Sequence, residues 1–98
     1  MAMFLISITY TAPLEQIDAH RPAHRDWLDA AIADGWLLLA GPREPRTGGV
    51  LLARGTRAEL QEKAAGDPFF LNGLSTFELI EFIPVKAAAG VTLESLLA

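Results

Sequence analysis

Among the 98 residues of this chain, the side chains best suited by type and spacing to proton chemistry are a histidine, an arginine and a distant aspartate. His24 stands seven residues after Ile17 and four before Leu28. On a helix it therefore shares an apolar stripe and turns inward. Imidazole exchanges a proton near neutral pH, so in a polar recess it suits general acid or base work. In a dry recess it is simply a hydrogen-bonded core residue. Arg21 lies one turn earlier on the same stripe, and a guanidinium there needs an anionic or polar partner because an unpaired buried charge is costly. Together the two predict a polar pocket between a helix and a sheet.

Asp67 precedes Pro68, the pattern of an ordinary helix N-cap that satisfies orphan N–H groups. A carboxylate can also orient a histidine by accepting the proton on one ring nitrogen. The two readings are compatible, since one oxygen can cap while the other stays free. Tyr10 closes an apolar segment and Ser75 opens another, so both hydroxyls are candidates to contact a substrate at that end of a pocket. His20 and His24 are four apart, the helical spacing of two metal ligands. Arg21 between them would set positive charge beside a cation, Pro22 disturbs the register, and no cysteine or obvious third ligand exists, so no metal site is expected. Phosphate-cradling glycine patterns and the G-x-S-x-G nucleophile elbow are missing. Arg43, Arg46 and Arg54 flank a turn and are positioned to attract an anion, although loop arginines are usually just solvated.

These residues need elements to hold them. Met3–Tyr10 alternates Phe4, Ile6, Ile8 and Tyr10 with smaller or polar residues, which reads as a strand. Helical period follows from Leu14 to Asp34, along Leu14, Ile17, Arg21, His24, Leu28, Ala31 and Ile32. Pro22 would remove an internal hydrogen bond at a cost of about 3 kcal/mol. A short turn over 14–20 is therefore expected, then a main helix from near Arg21, with Gly35 as its stop. Trp36–Ala40 is an unbroken apolar run, Arg43–Gly49 a hairpin loop, and Val50–Ala53 a second run. Thr56 with Glu59 three residues on forms a capping box for a helix over 57–65. A brief turn follows Asp67, then a strand over 74–83, with Phe77, Leu79 and Ile83 on one face and Ile80 and Phe82 on the other. The tail from Lys86 to Ala98 carries a small-residue linker and then a last turn capped by Thr92. The order β-α-β-β-α-β predicts an α+β, ferredoxin-like domain: a four-stranded antiparallel sheet with two helices on one face.

Composition narrows the function. Apolar residues make up 51% and charged residues 20%, with no cysteine, so a real core forms without disulfides or thiolate metal sites. Net charge is −4 with no basic cluster, which argues against nucleic acid as a partner. Apolar runs fall far short of the roughly 20 residues that span a bilayer, and the N-terminus lacks a signal pattern. A soluble, cytoplasmic, single-domain protein over 1–98 is expected, with its core over 3–85 and a tail over 86–98.

A sheet with one wet face should alternate cleanly, yet Trp36–Ala40 and Val50–Ala53 do not. Their second face must also leave water, and no segment remains to cover it. The expected solution is a homodimer joined through the sheet face.

Arg21-Pro22-Ala23-His24, Trp27-Leu28, Gly35 through Pro42, Asp67-Pro68-Phe69 and Gly73-Leu74, with a final strand ending Glu81-Phe82, resemble the YCII-related family. The likeness covers roughly Met3 to Val85. It implies a dimeric α+β barrel and a His–Asp pair in a cleft, matching His24 and Asp67. One branch of that family removes chloride from chlorinated hydroxyquinols. The expectation is a small cofactor-independent enzyme performing elimination, isomerisation or hydrolysis on a small cyclic or carbonyl-bearing metabolite. His24 and Asp67 would be catalytic, and Arg21, Tyr10 and Ser75 would bind substrate. The alternatives are a binding or regulatory module that leaves its ligand unchanged, and a purely structural dimer unit.

Overall fold

β1 (Met3–Tyr10) buries Phe4, Ile6 and Ile8 at alternate positions and forms the centre of the sheet. The computed structural model describes residues 2–92, and the turn expected after Thr92 lies outside them. After β1 come α1 (Leu14–Asp34), β2 (Leu37–Pro42), β3 (Gly48–Arg54), α2 (Arg57–Ala64), α3 (Pro68–Leu71) and β4 (Ser75–Phe82). The strands lie in the order β2-β3-β1-β4 and every neighbouring pair is antiparallel. This is the ferredoxin-like α+β arrangement predicted from the element order.

One core holds the sheet to its helices. Phe4, Ile6 and Ile8 of β1, Leu37 of β2 and Leu51 and Ala53 of β3 pack with Ala31 of α1 and Leu60 and Ala64 of α2. Both long helices therefore cover the same face. A second cluster joins Ile17 of α1 to Phe69 of α3 and Leu74 just before β4. It fixes the short helix against the long one, and with it the loop that carries Asp67.

The expected break near residue 20 does not occur. α1 runs unbroken through Pro22 and ends at Gly35, whose φ of +88° is the left-handed conformation that favours glycine at a helix stop. Pro22 deprives the Asp18 carbonyl of its helix donor, but both residues are exposed, so water can supply the missing bond. On the predicted stripe, Ile17 and Ala31 are buried and Arg21, His24 and Leu28 half-buried, while Leu14 and Ile32 at its two ends are exposed.

β2 begins one residue later than expected and continues through Pro42. As an edge strand it tolerates a proline. Its pairing with β3 shifts register between Leu37 and Leu39. Gly48, placed in the loop by the sequence pattern, begins β3, where a Cβ would overlap the Ile8 carbonyl of β1. Thr56 caps α2 as predicted, accepting from the Glu59 backbone N–H at 3.2 Å.

The sheet's other face stays open among the described residues. Leu5 stands opposite both Leu52 and Ile80, and Leu52 opposite Leu39. Leu39 is 58% exposed and Ile80 44%. No helix of the described residues is long and apolar enough to cross a membrane.

Candidate active site

His24 projects from the middle of α1 because a continuous helix places it one turn after Arg21 and one before Leu28, on the face turned to the sheet. Asp67 arrives from the other side, on the tight loop between α2 and α3. Its carboxylate Oδ1 caps α3 by accepting from the Phe69 N–H at 3.0 Å. The same oxygen lies 2.7 Å from His24 Nδ1. Capping and histidine-orienting roles therefore coexist, and they converge on one oxygen rather than dividing between two.

A carboxylate only accepts, so His24 Nδ1 carries the donated hydrogen and a neutral ring holds its free lone pair on Nε2. The pair is well shielded, with side-chain exposures of 13% for His24 and 3% for Asp67. Phe69 stacks on the imidazole at 4.1 Å between ring centres and 12° between planes. Trp27 flanks the imidazole at 5.9 Å and meets Trp36 edge-on at 5.7 Å. The two tryptophans thus supply packing, and the imidazole is held by a hydrogen bond along its edge and aromatic rings against its plane.

A cavity of about 230 Å³ opens beside this ring. His24 and Phe69 form part of its wall, with Ile8, Leu28 and Leu51 as apolar surface and Tyr10, Arg21 and Arg25 as polar groups. That volume lies below the roughly 300 to 1,000 Å³ of drug-sized sites and leaves room for a molecule of about one ring.

Of the residues singled out from the sequence, His24, Arg21 and Tyr10 line the cavity, and Asp67 stands behind His24. Ser75 is buried opposite Tyr10 in the β1–β4 register and is not one of the lining residues. His20 places Nδ1 3.1 Å from the Gln16 carbonyl of its own helix. No group of three or more His, Cys, Asp or Glu residues able to hold a metal ion occurs among the described residues.

Two features go beyond the reading of the sequence. Arg25 reaches the same cavity as Arg21, a relation that their spacing of four on one helix could have signalled. Arg46 of the β2–β3 loop donates to Asp18 of α1 at 2.6 Å, tying the loop to the helix near the cavity. This hydrogen bond holds the Asp18 carboxyl below its ordinary value of 3.8 and raises the Arg46 guanidinium. Nothing local in the sequence marks that contact. The other two arginines that flank this turn are also engaged: Arg43 donates to Ser7 at 3.4 Å and Thr47 at 3.0 Å, and Arg54 to the Gly35 carbonyl at 2.8 Å.

Element order, sheet topology and helix placement define an α+β protein with the fold of the dimeric α+β barrels. The chain belongs to the YCII-related domain family, whose model matches residues 2–83. Among solved structures it is similar to 5-chloro-2-hydroxyhydroquinone dehydrochlorinase from Burkholderia phenoliruptrix AC1100, in complex with 2,5-dihydroxybenzoquinone. The two share 21% identity at a TM-score of 0.68, over 87% of this chain and 95% of that one. At that identity the likeness speaks for the fold. Comparison with curated proteins yields no match.

Proposed function

We propose that this protein is a small cofactor-independent enzyme that moves a proton on a small cyclic or carbonyl-bearing molecule held beside His24. The observation carrying this reading is the 2.7 Å bond from His24 Nδ1 to the buried Asp67, at the wall of an open cavity. Nε2 is the nitrogen left to take a proton from a substrate carbon or hydroxyl and return it elsewhere. Asp67 fixes the tautomer and balances the imidazolium that forms, while the stack on Phe69 fixes the ring plane. Arg21 and Tyr10 contact the substrate. Tyr10 is the better placed of the two candidate hydroxyls, with Ser75 beside it in the next strand. Elimination, isomerisation and hydrolysis all use such a pair. The dehydrochlorination named for the Burkholderia structure is one elimination of this kind.

The assembly we propose is a homodimer formed through the open sheet face, because Leu5, Leu39, Leu52 and Ile80 would otherwise leave an apolar patch in water.

Solvent exchange tests the chemistry whatever product is formed. Quinols and cyclic ketones with an acidic C–H, incubated with the protein in D₂O, should take up deuterium at that carbon. His24→Ala should abolish the protein-dependent part. Exchange that His24→Ala catalyses as fast as the wild type would refute the proposal. A ligand that binds the wild type and is recovered without exchange or conversion would mark a binding module instead.

A further inference from the structure

Building on the acid–base reading, we infer that the substrate class of this cavity is a small monocarboxylic acid. Its apolar body lies on Ile8, Leu28, Leu51 and Phe69, and its carboxylate is held by Arg21 and Arg25 together. Both guanidinium-bearing residues line the cavity from one edge of α1, four positions apart. Neither forms an ion pair or a hydrogen bond among the described residues, whose three ion pairs are His24–Asp67, Arg46–Asp18 and Arg57–Glu81.

No carboxylate among the described residues forms an ion pair with either, although the Arg21 charge also helps to lower the Asp18 carboxyl. Asp18, one turn before Arg21, is bound to Arg46 at 2.6 Å. Asp67 is bound to His24 and to the Phe69 backbone. Asp26 and Asp29 share the outer groove of α1 with Arg21 and Arg25 but lie outside ion-pair distance of them. Two like charges one helical turn apart disfavour each other, and an anion between them removes that repulsion. A planar carboxylate matches the guanidinium fork. The remaining wall is aliphatic and aromatic, so the rest of the molecule should be apolar and about one ring in size. Arg25 is thus a specificity-determining residue, and Arg21 shares the ligand's carboxylate with it.

The test is an NMR titration of the full chain with three probes: benzoate, its uncharged isostere benzamide, and inorganic phosphate. Benzoate should shift the Trp27 indole and the amides around Leu28, and benzamide should bind at least about tenfold more weakly. Arg21→Gln and Arg25→Gln should each weaken benzoate about tenfold without altering benzamide, their dispersed spectra verifying the fold. His24→Asn separates this inference from the catalytic one, because it should abolish exchange yet keep the preference for benzoate over benzamide. Equal affinity for benzoate and benzamide would overturn the inference, as would benzoate binding that survives Arg21→Gln/Arg25→Gln. Displacement of benzoate by an equal concentration of phosphate would also overturn it, since the apolar wall would then play no part.

Discussion

A single oxygen, Asp67 Oδ1, meets both the His24 ring and the Phe69 backbone N–H, so substitutions at Asp67 can separate the proposed catalysis from stability. Asp67→Asn retains an acceptor for the cap but loses the negative charge beside the ring. It should lower turnover while shifting the melting temperature less than Asp67→Ala does. Asp67→Ala should also lose the cap, at about 1 kcal/mol by denaturant titration. His24→Ala should reduce kcat/KM by about 10² to 10⁴, the range of a positioned acid or base. The Asp18–Arg46 contact makes a separate prediction with a definite sign. Arg46 holds the Asp18 carboxyl below 3.8 in the folded chain, so the contact's stabilisation is complete above that pH. It should fade as the pH falls further and Asp18 protonates. Amide protection in the 43–47 loop, measured relative to the intrinsic exchange rate at each pH, should fall in that acid range and lose this dependence in Asp18→Asn. Pairs like this one are invisible to spacing, because Asp18 and Arg46 are 28 positions apart on different elements.

At the scale of elements, α1 shows where intrinsic propensity misleads. A proline in mid-helix looks like a boundary when only its lost hydrogen bond is counted. Here the freed carbonyl belongs to an exposed residue, and the packing of Ile17 and Ala31 on either side keeps the helix continuous. Pro22→Ala should therefore stabilise the protein by about 1–3 kcal/mol, measured by urea unfolding. A loss of stability would mean that α1 packs best with the proline in place. The first strand and the second helix are easier to read. Alternation alone bounds Met3–Tyr10, and Thr56 with Glu59 marks the start of α2, because both signals are local. Gly48 reads as loop because its reason for being glycine is the Ile8 carbonyl forty positions earlier, which no local pattern reports. Gly48→Ala should cost on the order of 3 kcal/mol, since the clash is with backbone that cannot rotate away. His24 and Asp67 can each be picked out by residue type. Their union across 43 positions follows from the family likeness and then from the position of α3 against α1.

For the whole molecule, the unbroken apolar character of Trp36–Ala40 and Val50–Ala53 leaves apolar side chains on the open face, which the proposed dimer would cover. Leu39→Glu or Ile80→Glu would set a charge in the proposed interface. Light scattering should then give a wild type at twice the chain mass and variants at the chain mass. A wild type that stays monomeric at high micromolar concentration would remove the dimer from the proposal. The irregular border of the sheet also limits how copies can meet. β2 ends on a proline and breaks register beside Leu37, and β4 carries Glu78 and Glu81 along the opposite border. Such borders resist the lateral docking of a further chain that would otherwise seed fibrils. In the proposed dimer a broad sticky surface would thus be kept for pairing without runaway polymerisation.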